Sequence, residues 1–187
     1  MTESRPSTSR TLCPPPGYRL AASVRALTFS PYDPCARVAA GTFWWATRTP
    51  AGPATLALRP SGGELVAEGY GPGADWVIER ADGIAGLRDD LTGFAALAAA
   101  HPVVARLAAQ HRGLRMPATG QLFPRLLRAV FEQKVTGKEA YRAYAATVRH
   151  FREAAPGPLQ PLLLPPEPAA VAAAPYWVFH PFGVEQR

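Results

Sequence analysis

Near residue 93 the chain changes its period, and that change limits the fold more than any other feature. Before it, short apolar segments are punctuated by Gly and Pro: Leu20–Phe29, Val38–Thr49, Ala54–Arg59 and Glu64–Tyr70 are separated by Ser30-Pro31-Tyr32-Asp33-Pro34, Pro50–Pro53 and Ser61-Gly62-Gly63. Strand-length runs at this spacing predict an antiparallel sheet built from hairpins, with Phe43 and Trp45 on one face and Trp44 on the other. Ala74–Leu87 reads as a helix that covers one sheet face. After residue 93 the apolar positions take helical spacing, in Phe94–Ala100, Val103–His111 and Leu122–Gln133. The expected fold class is therefore α+β, a small antiparallel sheet domain with flanking helices followed by helices alone. At 187 residues and 48% hydrophobic, the chain has enough length and apolar content to bury a core.

Domain boundaries follow from the same pattern. Residues 1–17 read as a flexible leader closed by Pro14-Pro15-Pro16-Gly17, and 18–92 as the sheet domain. Residues 93–153 form the helical segment, within which His101-Pro102 separates two helices and Gly113–Gly120 is a linker. Leu122–Gln133 places Phe123, Leu126, Leu127, Val130 and Phe131 on one side. Residues 154–187 are Pro-rich and read as an extended connector. No internal repeat occurs.

The charge is lopsided. Of a net +6, residues 1–100 contribute nothing, and ten basic residues between Arg106 and Arg152 face only Glu132 and Glu139. A neutral half joined to a basic half suggests a polyanion partner for the second. The bias toward Arg, 18 against two Lys, fits a GC-rich coding preference and carries little information alone. No apolar run approaches the roughly 20 residues of a membrane-spanning helix, and Met1–Gly17 lacks the apolar stretch of a secretory signal. A cytoplasmic monomer without membrane contact is the expectation. Cys13 and Cys35 are too few for a disulfide framework and lack zinc-site spacing.

The residues offer no catalytic constellation. A Gly-rich phosphate loop, a His-Glu-x-x-His metal site and a Gly-x-Ser-x-Gly elbow are all missing from the sequence, and no metal or cofactor is expected. His101, His111, His150 and His180 are scattered. Asp89-Asp90 reads as a solvated turn, although an acid/base pair is the alternative. Phe43-Trp44-Trp45 reads as sheet core, with base stacking as the alternative.

One stretch is more specific. Thr136-Gly137-Lys138-Glu139 fits a capping box, Thr at the N-cap and Glu three residues on. The helix it opens carries Tyr141, Tyr144, Val148 and Phe151 as an apolar stripe and Lys138, Arg142, Arg149 and Arg152 as a basic one. With only Lys134-Val135 between the two helices, the pair forms a tight corner. A capped helix start offers unpaired N–H groups and the positive end of a dipole to a phosphate. Lys134 and Lys138, the chain's only lysines, flank it. A solvated basic face is the alternative to a nucleic-acid contact.

Gly113-Leu114-Arg115-Met116-Pro117, followed by Leu127-Arg128-Ala129-Val130-Phe131-Glu132-Gln133-Lys134-Val135-Thr136, resembles the bacterial DNA-3-methyladenine glycosylase II family of the helix-hairpin-helix DNA glycosylases. That family has a similar Gly-Leu-Arg-x-Pro ahead of a Val-Arg-Ala-Ile-Leu-Gly-Gln-x-Val-Ser-like helix and turn. Pro31-Tyr32-Asp33 and Leu164-Pro165-Pro166-Glu167-Pro168 also look similar to its segments. The likeness runs loosely from residue 18 to the end, and its specific part is 113–152.

The resemblance implies a sheet domain followed by the first part of an all-helical glycosylase domain. It implies base-excision repair of alkylated duplex DNA, by flipping the base and hydrolysing its N-glycosidic bond. Taken with the capped basic corner, it gives Gln133, Lys134, Thr136, Gly137, Lys138 and Arg142 as the expected DNA contact. Gln133 matches the family's turn Gln, and Lys134 takes the position that fills the gap left by the flipped base. Lysine departs from the usual apolar wedge, though its stem could pass through the stack and its ammonium reach a phosphate. The family's hairpin and catalytic Asp would lie past Arg187. The resemblance therefore assigns no catalytic residue here and implies little or no glycosylase activity and exposed apolar helix faces. A non-catalytic DNA-binding or regulatory module and a functionless truncated product are the alternatives.

Overall fold

A computed structural model of the chain describes residues 6–184. Five antiparallel strands form one sheet in the order β1-β5-β4-β3-β2, comprising β1 (Thr8–Leu12), β2 (Ala36–Ala39), β3 (Thr42–Thr49), β4 (Gly52–Ser61) and β5 (Glu64–Tyr70). Helices α1 (Leu20–Val24), α2 (Ala74–Glu79) and α3 (Ala81–Ile84) flank it. Helices α4 (Phe94–Ala99), α5 (Pro102–Gln110), α6 (Leu122–Phe131), α7 (Gly137–Phe151) and α8 (Pro168–Ala173) follow. The fold is α+β, as the change of period predicts.

Strand alternation fills both sheet faces. On one, Phe43 and Trp45 of β3, Leu56 and Leu58 of β4 and Leu65 of β5 meet Leu20, Val24, Val77 and Ile84 from α1, α2 and α3. Each such enclosed side chain contributes roughly 1.5–3 kcal/mol of burial. On the other face, Trp44 and Ala46 pack against Ala155, Leu162 and Leu164 from the Pro-rich segment. The aromatic triplet is thus sheet core divided between two faces, with Trp44 also 5.9 Å from the Tyr70 ring.

Several sequence expectations are corrected. The expected flexible leader contains β1, which pairs Thr8–Leu12 with Leu65–Gly69 and buries Leu12. Leu20–Phe29 is not a strand: Leu20, Val24 and Leu27 are buried at helical intervals in α1 and the 3-10 turn Arg25–Leu27. The single strand expected over Val38–Thr49 is the hairpin β2–β3, folded at Ala40 (φ 48°) and Gly41 (φ 76°). Two consecutive positive φ values match the twist of the flanking strands, but Ala at the first hides the turn from the sequence. The helix expected over Ala74–Leu87 is broken at Arg80 into α2 and α3.

The Pro-rich segment is not an extended connector either. It carries α8, and Leu162 and Leu164 are buried under the sheet. Arg48 of β3 holds it there, donating from Nε to the Pro165 carbonyl (2.8 Å) and pairing with both Glu153 oxygens (3.1 and 2.5 Å) and with Glu167 (3.1 Å). Residues 1–5 of the expected leader and 185–187 of the expected connector lie outside the described residues.

The helical elements match more closely. His101 caps α5 by accepting the Val103 N–H on Nδ1 (3.3 Å), with Pro102 at the first position. Residues 113–120 are more than a linker, because they are stitched to the sheet unit. The Arg19 N–H donates to the Gly113 carbonyl (3.0 Å), the Arg115 N–H to Ser23 Oγ (3.0 Å) and the Ala118 N–H to the Gly83 carbonyl (2.8 Å). Gly113 has φ 80°, and a Cβ there would fall 1.9 Å from the Gly17 carbonyl oxygen, so glycine is required.

Ala40 pays for its left-handed backbone without any compensating contact visible in its exposed position. Ala40→Gly is expected to raise stability by about 0.5–1 kcal/mol, read as a higher urea midpoint at unchanged slope. A lowered midpoint would contradict this account of the turn.

Candidate nucleic-acid interface

The candidate site is the corner between α6 and α7, and packing fixes its direction. On α6, Leu127 and Phe131 turn inward to meet Ala140, Ala143, Tyr144 and Val148 of α7 and Phe29 of the sheet unit. Leu126 and Val130, on the same side by sequence, are half exposed. The apolar stripe is therefore wider than the surface that covers it.

Arg128, at the edge of that stripe, ties the corner to the sheet unit. Its guanidinium pairs with the Asp33 carboxylate, whose side chain is fully buried. Asp33 also accepts the N–H groups of Phe29 (2.7 Å), Cys35 (2.8 Å) and Ala36 (3.3 Å), so one carboxylate closes the loop before β2 and anchors α6. The Arg128 guanidinium carbon lies 4.8 Å from the Phe29 ring centre and 5.4 Å from that of Tyr144. Beside this pair the Tyr144 hydroxyl donates to Cys35 Sγ (3.5 Å). Burial, then the neighbouring Asp33 charge, pushes the Cys35 thiol up, while burial and the Cys35 and Asp33 charges do the same for the Tyr144 phenol. Both stay protonated, so Cys35 is a packing residue and not a nucleophile.

At the corner itself, Lys134 adopts φ 59°. This left-handed residue reverses the chain after α6 and lets α7 begin at once. Thr136 Oγ1 accepts the Glu139 N–H (3.4 Å) and a Glu139 carboxylate oxygen accepts the Thr136 N–H (2.8 Å), completing the capping box predicted from sequence. The Thr136 N–H, then its hydroxyl, hold the exposed Glu139 carboxyl below the usual range, so it is charged at neutral pH. The N–H groups of Gly137 and Lys138, first in the helix, remain outside the intrahelical ladder.

The structure brings Gln133, Lys134, Thr136, Gly137 and Lys138 together on this exposed turn, and Arg142 lies one helical turn beyond Lys138. Among the described residues no ion pair engages Lys134, Lys138 or Arg142. Arg149 and Arg152 continue the exposed basic positions toward the far end of α7, roughly 20 Å from Lys138 at 1.5 Å per residue. Such a surface offers cations and backbone donors to phosphate oxygens. The Asp33–Arg128 anchor is absent from the sequence-derived site. No local signal marks it, because its two members lie 95 positions apart.

No group of three or more His, Cys, Asp or Glu side chains suited to a metal occurs among the described residues. No described helix is long and apolar enough to cross a membrane. Asp90 accepts from the Thr92 N–H (2.9 Å) and hydroxyl (2.5 Å), the pattern of an exposed turn as expected for Asp89-Asp90.

No family model and no curated protein matches the sequence. Solved structures do match. A 3-methyladenine DNA glycosylase from Archaeoglobus fulgidus superposes with a TM-score of 0.74 at 16% identity, over 95% of this chain and 62% of that one. MBOgg1, solved in complex with a low-affinity DNA ligand, superposes with a TM-score of 0.63 at 12% identity, over 89% of this chain and 54% of its own. What is shared is the DNA glycosylase fold. The chain spans about three fifths of the first structure's length and about half of the second's.

Two outcomes test this geometry. Asp33→Ala leaves Arg128 buried without its partner and is expected to cost about 3–5 kcal/mol in urea unfolding; a loss below about 1 kcal/mol would show that the pair anchors nothing. Lys134→Gly relieves the left-handed backbone and removes a charge. Its expected result is a stability gain of up to about 1 kcal/mol together with weaker DNA binding, and a stability loss would contradict the assigned strain.

Proposed function

We propose that the chain acts in DNA base-excision repair, as the part of an alkylated-base glycosylase that grips duplex DNA through Gln133, Lys134, Thr136, Gly137, Lys138 and Arg142. The observation that carries this reading is the exposed, unpaired basic corner on a fold shared with two DNA glycosylases. The concentration of the net charge on the same stretch supports it. Phosphates would bind the two lysines, Arg142 and the free N–H groups of α7, while Lys134 at the apex would reach furthest toward the stack.

We further propose that the 187-residue chain binds without releasing bases. Cleavage of an N-glycosidic bond needs a carboxylate that can face a cationic sugar. Asp33 gives its oxygens to three backbone N–H groups and Arg128. Asp82 pairs with Arg88 (2.7 Å), which helps hold its carboxyl low, and Asp90 serves its own turn. Three of the five Asp residues are thus engaged within the fold, which supports a DNA-binding role for the segment.

Duplex affinity is expected to fall steeply with salt, and Lys134→Ala/Lys138→Ala is expected to flatten the log–log slope by about 2. Fluorescence anisotropy between 50 and 200 mM salt reads both. Unchanged binding by the double variant would remove the contact from the corner. Release of 3-methyladenine at the rate of a full-length glycosylase would overturn the binding-only reading.

A further inference from the structure

The free edge of the sheet, next to the corner, carries a second arrangement of basic and aromatic side chains. An open groove of about 660 Å³ runs between α1 with its following turn, the edge strand β2 and the start of α7. Arg25, Arg37, Phe29, Val38 and Tyr141 are among its walls. Neither guanidinium takes part in an ion pair or a hydrogen bond among the described residues, although five other arginines of the chain do form ion pairs. Arg37 goes further: its Nε is buried and has no hydrogen-bond partner. A buried N–H left unpaired costs about 1–3 kcal/mol.

The groove and the corner share one residue. Tyr141 lies one turn into α7, and a Cβ on Gly137 would touch its ring at 3.6 Å. The same ring packs edge-on against Phe29 (4.9 Å between centres) at the groove's other side. The half-exposed Tyr141 is thus a fixed step between the lysines of the corner and the two arginines of the sheet edge. Guanidinium groups match phosphate oxygens in a planar, two-pronged geometry that an ammonium cannot offer.

From these observations we propose that Arg25 and Arg37 form a second phosphodiester-binding site, which takes the sugar-phosphate backbone of a DNA strand as it leaves the Gln133–Lys138 corner across Tyr141. The sheet unit then grips DNA directly instead of only supporting the helices. This inference rests on the proposed duplex contact at the corner and extends it by two phosphates. Arg25 and Arg37 both line the groove, and a bound phosphate would give their guanidinium groups the acceptors that no described residue provides.

The test compares three forms of the full chain on one duplex by anisotropy from 50 to 200 mM salt: wild type, Arg25→Gln/Arg37→Gln and Lys134→Ala/Lys138→Ala. The arginine pair is expected to weaken binding about tenfold at 200 mM and to flatten the salt slope by about 2, some threefold in affinity per lost contact. Arg25→Lys/Arg37→Lys keeps the charge and should recover the slope but only part of the affinity. Should the glutamine pair fail to fold, phenylglyoxal modification of the wild-type chain replaces it, with duplex DNA expected to protect Arg25 and Arg37 in the peptide mass map. Binding that depends on the lysines but not on the arginines, or arginines modified equally with and without DNA, overturns this site and leaves the corner standing. No duplex binding by the wild type at 50 mM salt overturns both.

Discussion

Asp33 and Arg128 hold the two halves of the molecule in one geometry. A carboxylate without solvent contact is tolerable only when its oxygens are satisfied, and Asp33 meets that need with three backbone N–H groups and a guanidinium. The backbone bonds shape the loop that leads into β2. The guanidinium fixes the rotation of α6, and with it the direction in which the corner points. Phe29 and Tyr144 press on Arg128 from the sheet unit and from α7, so the charge sits where strand loop and both helices converge. Everything proposed about nucleic acid depends on this junction, because Lys134 and Lys138 project from the far end of the helices it orients.

A second clamp completes the sheet. Arg48 on β3 gathers Glu153, Glu167 and the Pro165 carbonyl, and so draws the Pro-rich segment over the face that α1, α2 and α3 do not cover. Both sheet faces are then buried, as the continuous burial of Ala54–Leu58 in β4 shows. The edge strand β2 is left open along the groove. Beside it lie Arg25 and Arg37, which form no ion pair among the described residues.

Much of this was legible in the residues. The α+β class followed from the change of period, and β5 matched Glu64–Tyr70 to the residue because turn chemistry brackets it. The capping box at Thr136–Glu139 was readable because it is written in four consecutive positions and needs no distant partner. The errors share a cause. Leu20–Phe29 mixes apolar residues at intervals that suit either element, and only packing against Phe43 and Leu56 selects the helix. Ala40 conceals a turn that Asn or Gly would have announced. The leader and the Pro-rich segment gain order from pairing with β5 and Arg48, partners some 50 to 120 residues away.

The basic corner was visible in the same way, as local charge on a helix start. The Asp33–Arg128 anchor was not, since 95 positions separate its members and each alone looks ordinary. Nor could the sequence bring Arg25, Arg37 and Tyr141 to the lining of one groove. What the sequence determined by itself is whatever a few neighbouring residues settle: periodicity, caps, glycine turns and where charge accumulates. The tertiary structure alone decided which of those charges are spent inside the fold and which remain free at its surface. Burial and hydrogen-bond satisfaction depend on residues that only folding brings together.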